Sequence, residues 1–190
     1  WIETEGREDV LSKDTYLKAT FKLVEDVMTR AAGDIVIDSV EIKCRGNSSY
    51  TQTQKKSFRL KFNNKISIFN EPEDKSYVMI ANYFDKTMIR NMLAYYMGQI
   101  SNLEYTPSFH FVELILNGSY HGTYMLGDKL KISKNRVNVG EDGFLLENDA
   151  RVASSDIYFN TDRLQYPISI KDPDIEYDSE QFKYIKSFFQ

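Results

Sequence analysis

Cysteine, tryptophan, histidine and proline are scarce in this 190-residue chain. Several of these scarcities, and some missing motifs, close off a class of explanation. There is one cysteine, Cys44, so no internal disulfide can form and the redox compartment stays open. The two histidines, His110 and His121, are separated across a hairpin signal and have no metal-ligand spacing. No apolar run approaches the ~20 residues of a membrane-spanning helix. Neither Gly-x-Gly-x-x-Gly nor Gly-Lys-Ser/Thr occurs, which removes the standard nucleotide fingerprints. No Ser–His–Asp or Cys–His grouping can be argued. The net charge of −4 gives no general pull toward nucleic acid or a membrane surface. There is no signal-peptide pattern, and the chain begins at Trp1 rather than Met, which reads as a processed or trimmed start.

One absence is local. From Ile42 to Asn70 there is no Asp or Glu, while seven cations occur: Lys43, Arg45, Lys55, Lys56, Arg59, Lys61 and Lys65. Residues 141–180 are the converse, eleven acids against Arg151, Arg163 and Lys171. A basic and an acidic segment in one chain imply mutual pairing or separate tasks.

Apolar residues make up 42% and aromatics 14%, enough for a globular core. Thirteen Tyr and twelve Phe favour sheet-rich structure. Alternation predicts half-buried strands over 16–24, 39–44 and 57–62, with Phe58, Leu60 and Phe62 on one face and Arg59 and Lys61 on the other. "YVMIANY" (77–83) reads as a buried strand. Helical spacing of Met88, Ile89, Met92, Leu93, Tyr96, Met97 and Ile100 predicts a helix over 85–100, with Asp85 as its N-cap. Asn117-Gly118 between strand-like runs predicts a hairpin over 109–126. A two-residue turn there sets Glu113 opposite Gly122. Strands follow over 143–149, 156–161 and 167–172. A last helix spans 178–190, with Asp178 and Gln181 as a capping box. It stops without a terminating signal, which reads as a chain that normally continues.

The polar stretch "RGNSSYTQTQ" joins two strands, with Arg45 before it and Lys55, Lys56, Arg59 and Lys61 after it. It is either a cradle for a phosphate-bearing ligand, with backbone N–H groups facing the anion, or a solvated basic hairpin face. Glu113 in an apolar strand either orients Lys56 or Lys61 toward phosphate or makes an ordinary structural pair. Glu147 and Asp149 share a strand face and either bind a hard cation or form a charged strand end. Asp85, Arg90 and Asn91 either serve a site at the helix start or simply cap it, the better reading from sequence. Cys44 reads as a small buried residue.

"IKCRGNSSYTQTQKKSFRLKF", "MIANYFDKTMIRNMLAYYM", "FVELILNGSYHGTYML" and "GFLLEND", in that order and spacing, resemble the kinase family of spore coat protein H (CotH). The resemblance extends to "ISIKDPDIEYDSEQFKYIKSFF" and covers about residues 12–190. It implies an atypical protein kinase using ATP and Mg²⁺, with none needed for folding. The reaction would be phosphate transfer to Ser of secreted or surface proteins by an exported enzyme. Arg45, Gly46, Asn47 and Ser48 would form the phosphate-covering loop, Lys56 would hold phosphate, and the strand ending at Asp128 would meet adenine. Glu113 is the inferred orienting acid. Relatives often have Thr-Glu-Lys where this chain has Gly127-Asp128-Lys129, and a Gly where it has Cys44. The family's catalytic carboxylate and Trp-Asp-x-Asp segment are expected beyond residue 190; the one Trp here is Trp1.

The expectation is therefore an α+β fold: an antiparallel-rich sheet with packed helices, like the N-terminal half of a protein kinase. Residues 1–190 would form one domain cut at its C-terminus, inactive alone, with no catalytic residue of its own and unknown metal ligands. The expected cofactor-binding set is Arg45, Asn47, Ser48, Lys56, Arg59, Lys61, Glu113 and Asp128. Its partners would be a protein substrate and the missing half of its own domain, with no nucleic acid and no membrane span. The alternative is a non-catalytic surface or adhesion module binding glycan or protein.

Overall fold

Alternating side chains pair strand to strand in the computed structural model, which describes residues 1–24, 35–152 and 156–189. The chain divides into two compact units, Trp1–Lys129 and Leu130–Gln190. In the first, among the described residues, seven strands form a closed barrel: β1 (Ile2–Thr4), β2 (Leu17–Leu23), β3 (Ile35–Arg45), β4 (Ser57–Ile66), β5 (Asp74–Ile80), β6 (Phe109–Leu116) and β7 (Ser119–Asp128). Their order is β1-β2-β3-β4-β5-β7-β6. Neighbours are antiparallel except at the seam, where β1 meets β6 in parallel through one register pair, Ile2↔Leu116. Asn117 N–H donates to Ile2 O beside it at 2.9 Å.

The α+β expectation with packed helices is corrected by this architecture. The protein is 39% strand and 15% helix, so sheet closure, not helix packing, organises it. Two physical causes explain the difference. Strands run beyond their alternating cores, β3 back to Ile35 and β4 on through Asn63 and Asn64 to Ile66, and β1 supplies an unexpected closing strand. The helical pattern, meanwhile, yields only a shorter helix. Met88 sits at φ +62°, which a right-handed helix does not tolerate, so the helix proper begins at Arg90.

Period-two alternation fills the interior. Ile42, Cys44, Phe58, Leu60 and Phe62 are buried, while Lys43, Arg45, Arg59 and Lys61 lie on the opposite side of the sheet. The Phe62 ring stands edge-on to Phe21 (centroids 5.2 Å) and Tyr77 (5.8 Å). Each such fully buried side chain contributes about 1.5–3 kcal/mol. The buried Cys44 thiol donates to Val10 O at 3.0 Å, and burial pushes its pKa up, as expected of an inert packing residue.

Among the described residues this unit has two α-helices: α1, a single turn at Ser48–Thr51, and α2 at Arg90–Ile100. Met92 and Tyr95 of α2 pack on Val78, Phe109 and Met125 outside the barrel, with Tyr95 stacked on Phe109 at 4.5 Å. Leu93, Tyr96, Met97 and Ile100, expected to share the packed face, are exposed.

The Asn117-Gly118 turn forms with both φ values positive, the type that matches strand twist. Its register holds for Leu116↔Ser119 and Ile115↔Tyr120, then slips at a bulge to Leu114↔Gly122. Glu113 consequently faces Thr123 rather than Gly122. Gly122 takes φ +84°, which a side chain would resist.

The second unit holds a three-stranded antiparallel sheet, β8 (Leu145–Asn148), β10 (Ile168–Asp172) and β9 (Ile157–Phe159) in that order, and helix α3 (Glu180–Ser187). Phe159, Ile168 and Ile170 meet Phe182 and Ile185 of α3 in its core. The helix cap lies one residue later than expected: Ser179 Oγ accepts the Phe182 N–H at 3.1 Å, and Asp178 is at φ +62°. The expected terminal residue of this helix, Gln190, lies outside the described residues.

Candidate functional site

A cavity of about 340 Å³ lies on the barrel where β3, β4 and β5 end and α2 begins. Arg45 and Ser49 reach it from the loop after β3; Asn82, Asp85, Arg90 and Asn91 reach it from the turn after β5. Tyr83 and Phe84 complete its lining with exposed aromatic rings. The two motifs, Arg-Gly-Asn-Ser and Asp-Lys-Thr-x-x-Arg-Asn, thus share one pocket although about forty residues separate them.

Local chemistry shapes both walls. Arg45 is the last residue of β3 and alternates away from the buried Cys44. Gly46 follows at φ +102°, and a Cβ there would lie 2.1 Å from Ser49 Oγ, so this tight entry to the loop requires glycine. The stretch expected as a row of anion-facing N–H groups is mostly the turn α1. Tyr50 and Thr51 donate to Asn47 O, and Gln52 donates to Ser48 O.

On the other wall, Asp85 is the organising residue. Its Oδ1 accepts the Thr87 hydroxyl at 2.6 Å and the Thr87 N–H at 3.1 Å, and its Oδ2 accepts the Arg90 N–H at 2.9 Å. Asn91 Nδ2 donates to Asn82 Oδ1 at 2.7 Å, tying the helix start to the end of β5. The N-cap position is therefore Ile89, not Asp85 as expected from sequence; from four residues earlier Asp85 accepts the first helical N–H, and it lines the pocket. These bonds, the Thr87 hydroxyl first, hold the Asp85 pKa below its ordinary 3.8. The capping contribution is thus complete above 3.8 and is lost as pH falls through the lower folded value. An NMR pH titration of the Arg90 and Thr87 amides is expected to show a midpoint below the ordinary aspartate value. It should vanish in Asp85→Asn; a midpoint at or above that value would contradict the capping geometry.

The pocket's electrostatics centre on Arg45. Among the described residues its guanidinium has no carboxylate or hydrogen-bonding partner. Burial lowers its pKa, Tyr95 partly opposes this, and the like charge of Arg59 lowers it further. Arg59 has its Nε buried and unpartnered. Two adjacent, partly desolvated cations without a counter-ion are costly unless an anion supplies the missing charge. By contrast Arg90, also at the pocket, has Nε 3.6 Å from Asp85.

The remaining expected residues disperse. Asn47 is exposed, with Lys13 Nζ 3.4 Å from its Oδ1, and neither it nor Ser48 lines the cavity. Lys56 donates to Tyr50 O and Thr53 O, both at 2.5 Å, and lines a different cavity. Lys61 pairs with Glu41 at 3.1 Å and lies over the Tyr16 ring. Glu113 accepts hydrogen bonds from the Tyr120 and Thr123 hydroxyls, which lower its pKa; the nearby cation is Lys55. The ion pair expected with Lys56 or Lys61 does not form. Asp128 is buried and accepts from Tyr105 Oη at 2.9 Å and Ser108 N–H at 3.2 Å. Ser49 and Asn82 were not singled out from sequence. The alternation that turns Arg45 outward marks the wall that holds Ser49; Asn82 lies on the other wall, with Asp85.

In the second unit, the carboxylates read as possible ligands for a hard cation surround a lysine instead. Lys171 Nζ lies 2.9 Å from Asp149, 3.1 Å from Asp156 and 3.5 Å from Glu147. Burial works against the ammonium, but the hydrogen bonds it donates to Asp149 and Asp156 outweigh it and raise its pKa. Among the described residues no group of three or more His, Cys, Asp or Glu is arranged to hold a metal ion. In the barrel pocket Asp85 is the one carboxylate, and both its oxygens already accept hydrogen bonds. These residues alone do not make a magnesium cage.

Barrel and pocket together define a closed β-barrel with a surface cavity lined by Arg45, Arg90 and one carboxylate, Asp85. A family model described as CotH kinase protein matches residues 42–190, and the chain belongs to that family. No curated protein matches it. Among the described residues no helix is long and apolar enough to cross a membrane.

Proposed function

We propose that the pocket at Arg45 binds the phosphates of ATP, and that the protein serves phosphoryl transfer to serine hydroxyls of exported proteins. One observation carries the reading: Arg45, without a partner among the described residues and partly desolvated beside Arg59, faces a cavity built from the two motifs that also carry the family resemblance. Arg45 would engage phosphate oxygens through its planar fork of donors. Asn82 and Asn91 offer further amide donors, and the Tyr83 and Phe84 rings offer faces for a base. The cavity volume of about 340 Å³ lies within the range of small-molecule sites.

When bound, Mg²⁺ would neutralise the developing phosphate charge. This chain's residues would position the phosphates and shield them from water. A hydroxyl-orienting carboxylate is not among the residues gathered here, so this reading gives the chain the nucleotide-holding role. The family match runs through both compact units, which supports reading 1–190 as one domain. Export is part of the proposal and rests on the resemblance.

The test is an NMR titration of the chain with Mg·ATP. Binding with a dissociation constant of about 1 mM or tighter is expected, with amide shifts at Arg45, Gly46, Asn82 and Asn91. Absence of binding, or shifts confined to other residues, would refute the assignment.

A further inference from the structure

A second cavity, also about 340 Å³, opens elsewhere on the barrel. Its floor is apolar: Val10, Phe58 and Leu116 line it and are buried. Its rim is polar and carries Arg7, whose Nε is paired with Glu3 at 2.8 Å, together with Lys56 and His121, against one lining acid, Asp9. Gln54, Asn117 and Ser119 add neutral hydrogen-bonding groups.

The fold explains why a hollow exists here. The barrel seam is thinnest at Leu116, where β1 and β6 share one register pair. Directly across the hairpin, the bulge between Tyr120 and Gly122 leaves His121 unpaired in the ladder and exposed. Lys56 forms another wall while its ammonium holds Tyr50 O and Thr53 O. Tyr50 in turn donates to Leu11 O at 2.9 Å, fastening that wall to the segment bearing Asp9 and Val10. The opening is therefore framed by cross-linked segments rather than by a free loop.

We propose that this cavity binds a small anion with an apolar body, an aryl or alkyl carboxylate or phosphate. Its apolar part rests on Phe58 and Leu116, and its head group meets Arg7, Lys56 and His121. An apolar floor alone would take any greasy fragment. With Arg7 shared by Glu3, Lys56, whose ammonium meets neutral carbonyls, is the cation that favours a negative head, and the volume restricts the body to a small molecule. The site does not depend on the nucleotide reading, since no residue lines both cavities.

Phenyl phosphate, benzoate and uncharged benzyl alcohol serve as probes in two-dimensional NMR titrations of the full chain. Binding by either anion in the millimolar range is expected, with shifts at the amides of Gln54, Ser119 and His121. Which anion binds better identifies the head group. Arg7→Ala and His121→Ala, both at exposed positions, should each weaken binding about threefold, and Asp9→Asn should tighten it. The proposal is overturned if neither anion binds, if benzyl alcohol binds equally well, or if shifts appear only at Arg45, Asn82 and Asn91. That last outcome would place the anions in the first cavity. Mg·ATP shifts at Arg45 stand or fall separately.

Discussion

Replacing Arg45 by methionine is expected to weaken Mg·ATP binding tenfold or more while leaving the fold as stable as before, or more stable. The two halves of this expectation have one cause. A half-buried guanidinium beside Arg59, with no carboxylate to meet it, contributes repulsion and desolvation to the free protein. Methionine keeps an unbranched apolar stem in the same space and removes both costs. Bound phosphate reverses the balance. A hydrogen bond to a charged group is worth roughly 1.5–3 kcal/mol, or about tenfold to a hundredfold in affinity. NMR or calorimetric titration reads the binding half and urea unfolding reads the stability half. If Arg45→Met lowers stability and binding in parallel, Arg45 is a structural residue and the phosphate assignment fails.

Gly127→Ala is expected to destabilise the barrel by about 3 kcal/mol, at the upper end for overpacking. Gly127 lies on β7 between its partners, opposite Val78 on β5 and Phe109 on β6. A Cβ there would stand 2.0 Å from Ser108 O and 2.6 Å from Phe109 Cδ1. The main chain cannot retreat easily, because Asp128 N–H donates to that same Ser108 O and the Asp128 carboxylate holds Tyr105 and Ser108. Gly118→Ala is the control: its site is open but its φ is +80°, so only conformational strain of about 1 kcal/mol applies. Urea denaturation of both variants should separate crowding from strain; equal losses would mean that β6 and β7 can part to admit a side chain. Gly127 begins the Gly127-Asp128-Lys129 run. Its role in this chain is close approach to the segment entering β6.

Several elements were legible because their signal is local. The strands of β2, β3 and β4 showed themselves by alternation, and Asn117-Gly118 announced its hairpin through turn chemistry alone. The parts that escaped depend on distant partners or on backbone detail. Nothing in "IET" marks β1 as the strand that closes a barrel, because its partner Leu116 is far along the chain. The bulge at His121 moved Glu113 by one position, and Met88 at positive φ shortened the helix to Arg90. For the pocket, the charge pattern drew attention to Arg45 and its basic neighbours. Position along the chain then sent them to different places, Arg45 at the end of β3 to the cavity, Lys61 further along β4 to Glu41, and Lys56 before β4 to the loop carbonyls. The Asp85 motif was visible too, but as a cap. Capping and lining the pocket proved to be two uses of one carboxylate's position.

The seam between β1 and β6 also sets a timetable. At roughly 5–20 residues per second, a ribosome needs on the order of 5–20 seconds between releasing Ile2 and releasing Leu116. Through that interval β1 can pair with β2 on one edge only, and the cylinder stands open with its apolar lining unsealed. The seam joins residues among the farthest apart in sequence, and closure also needs β7 in place between β5 and β6, so it belongs to the slow class of folding events. A nascent chain stalled before residue 116 therefore exposes the edges that invite pairing with a neighbour, and one stalled after Lys129 does not.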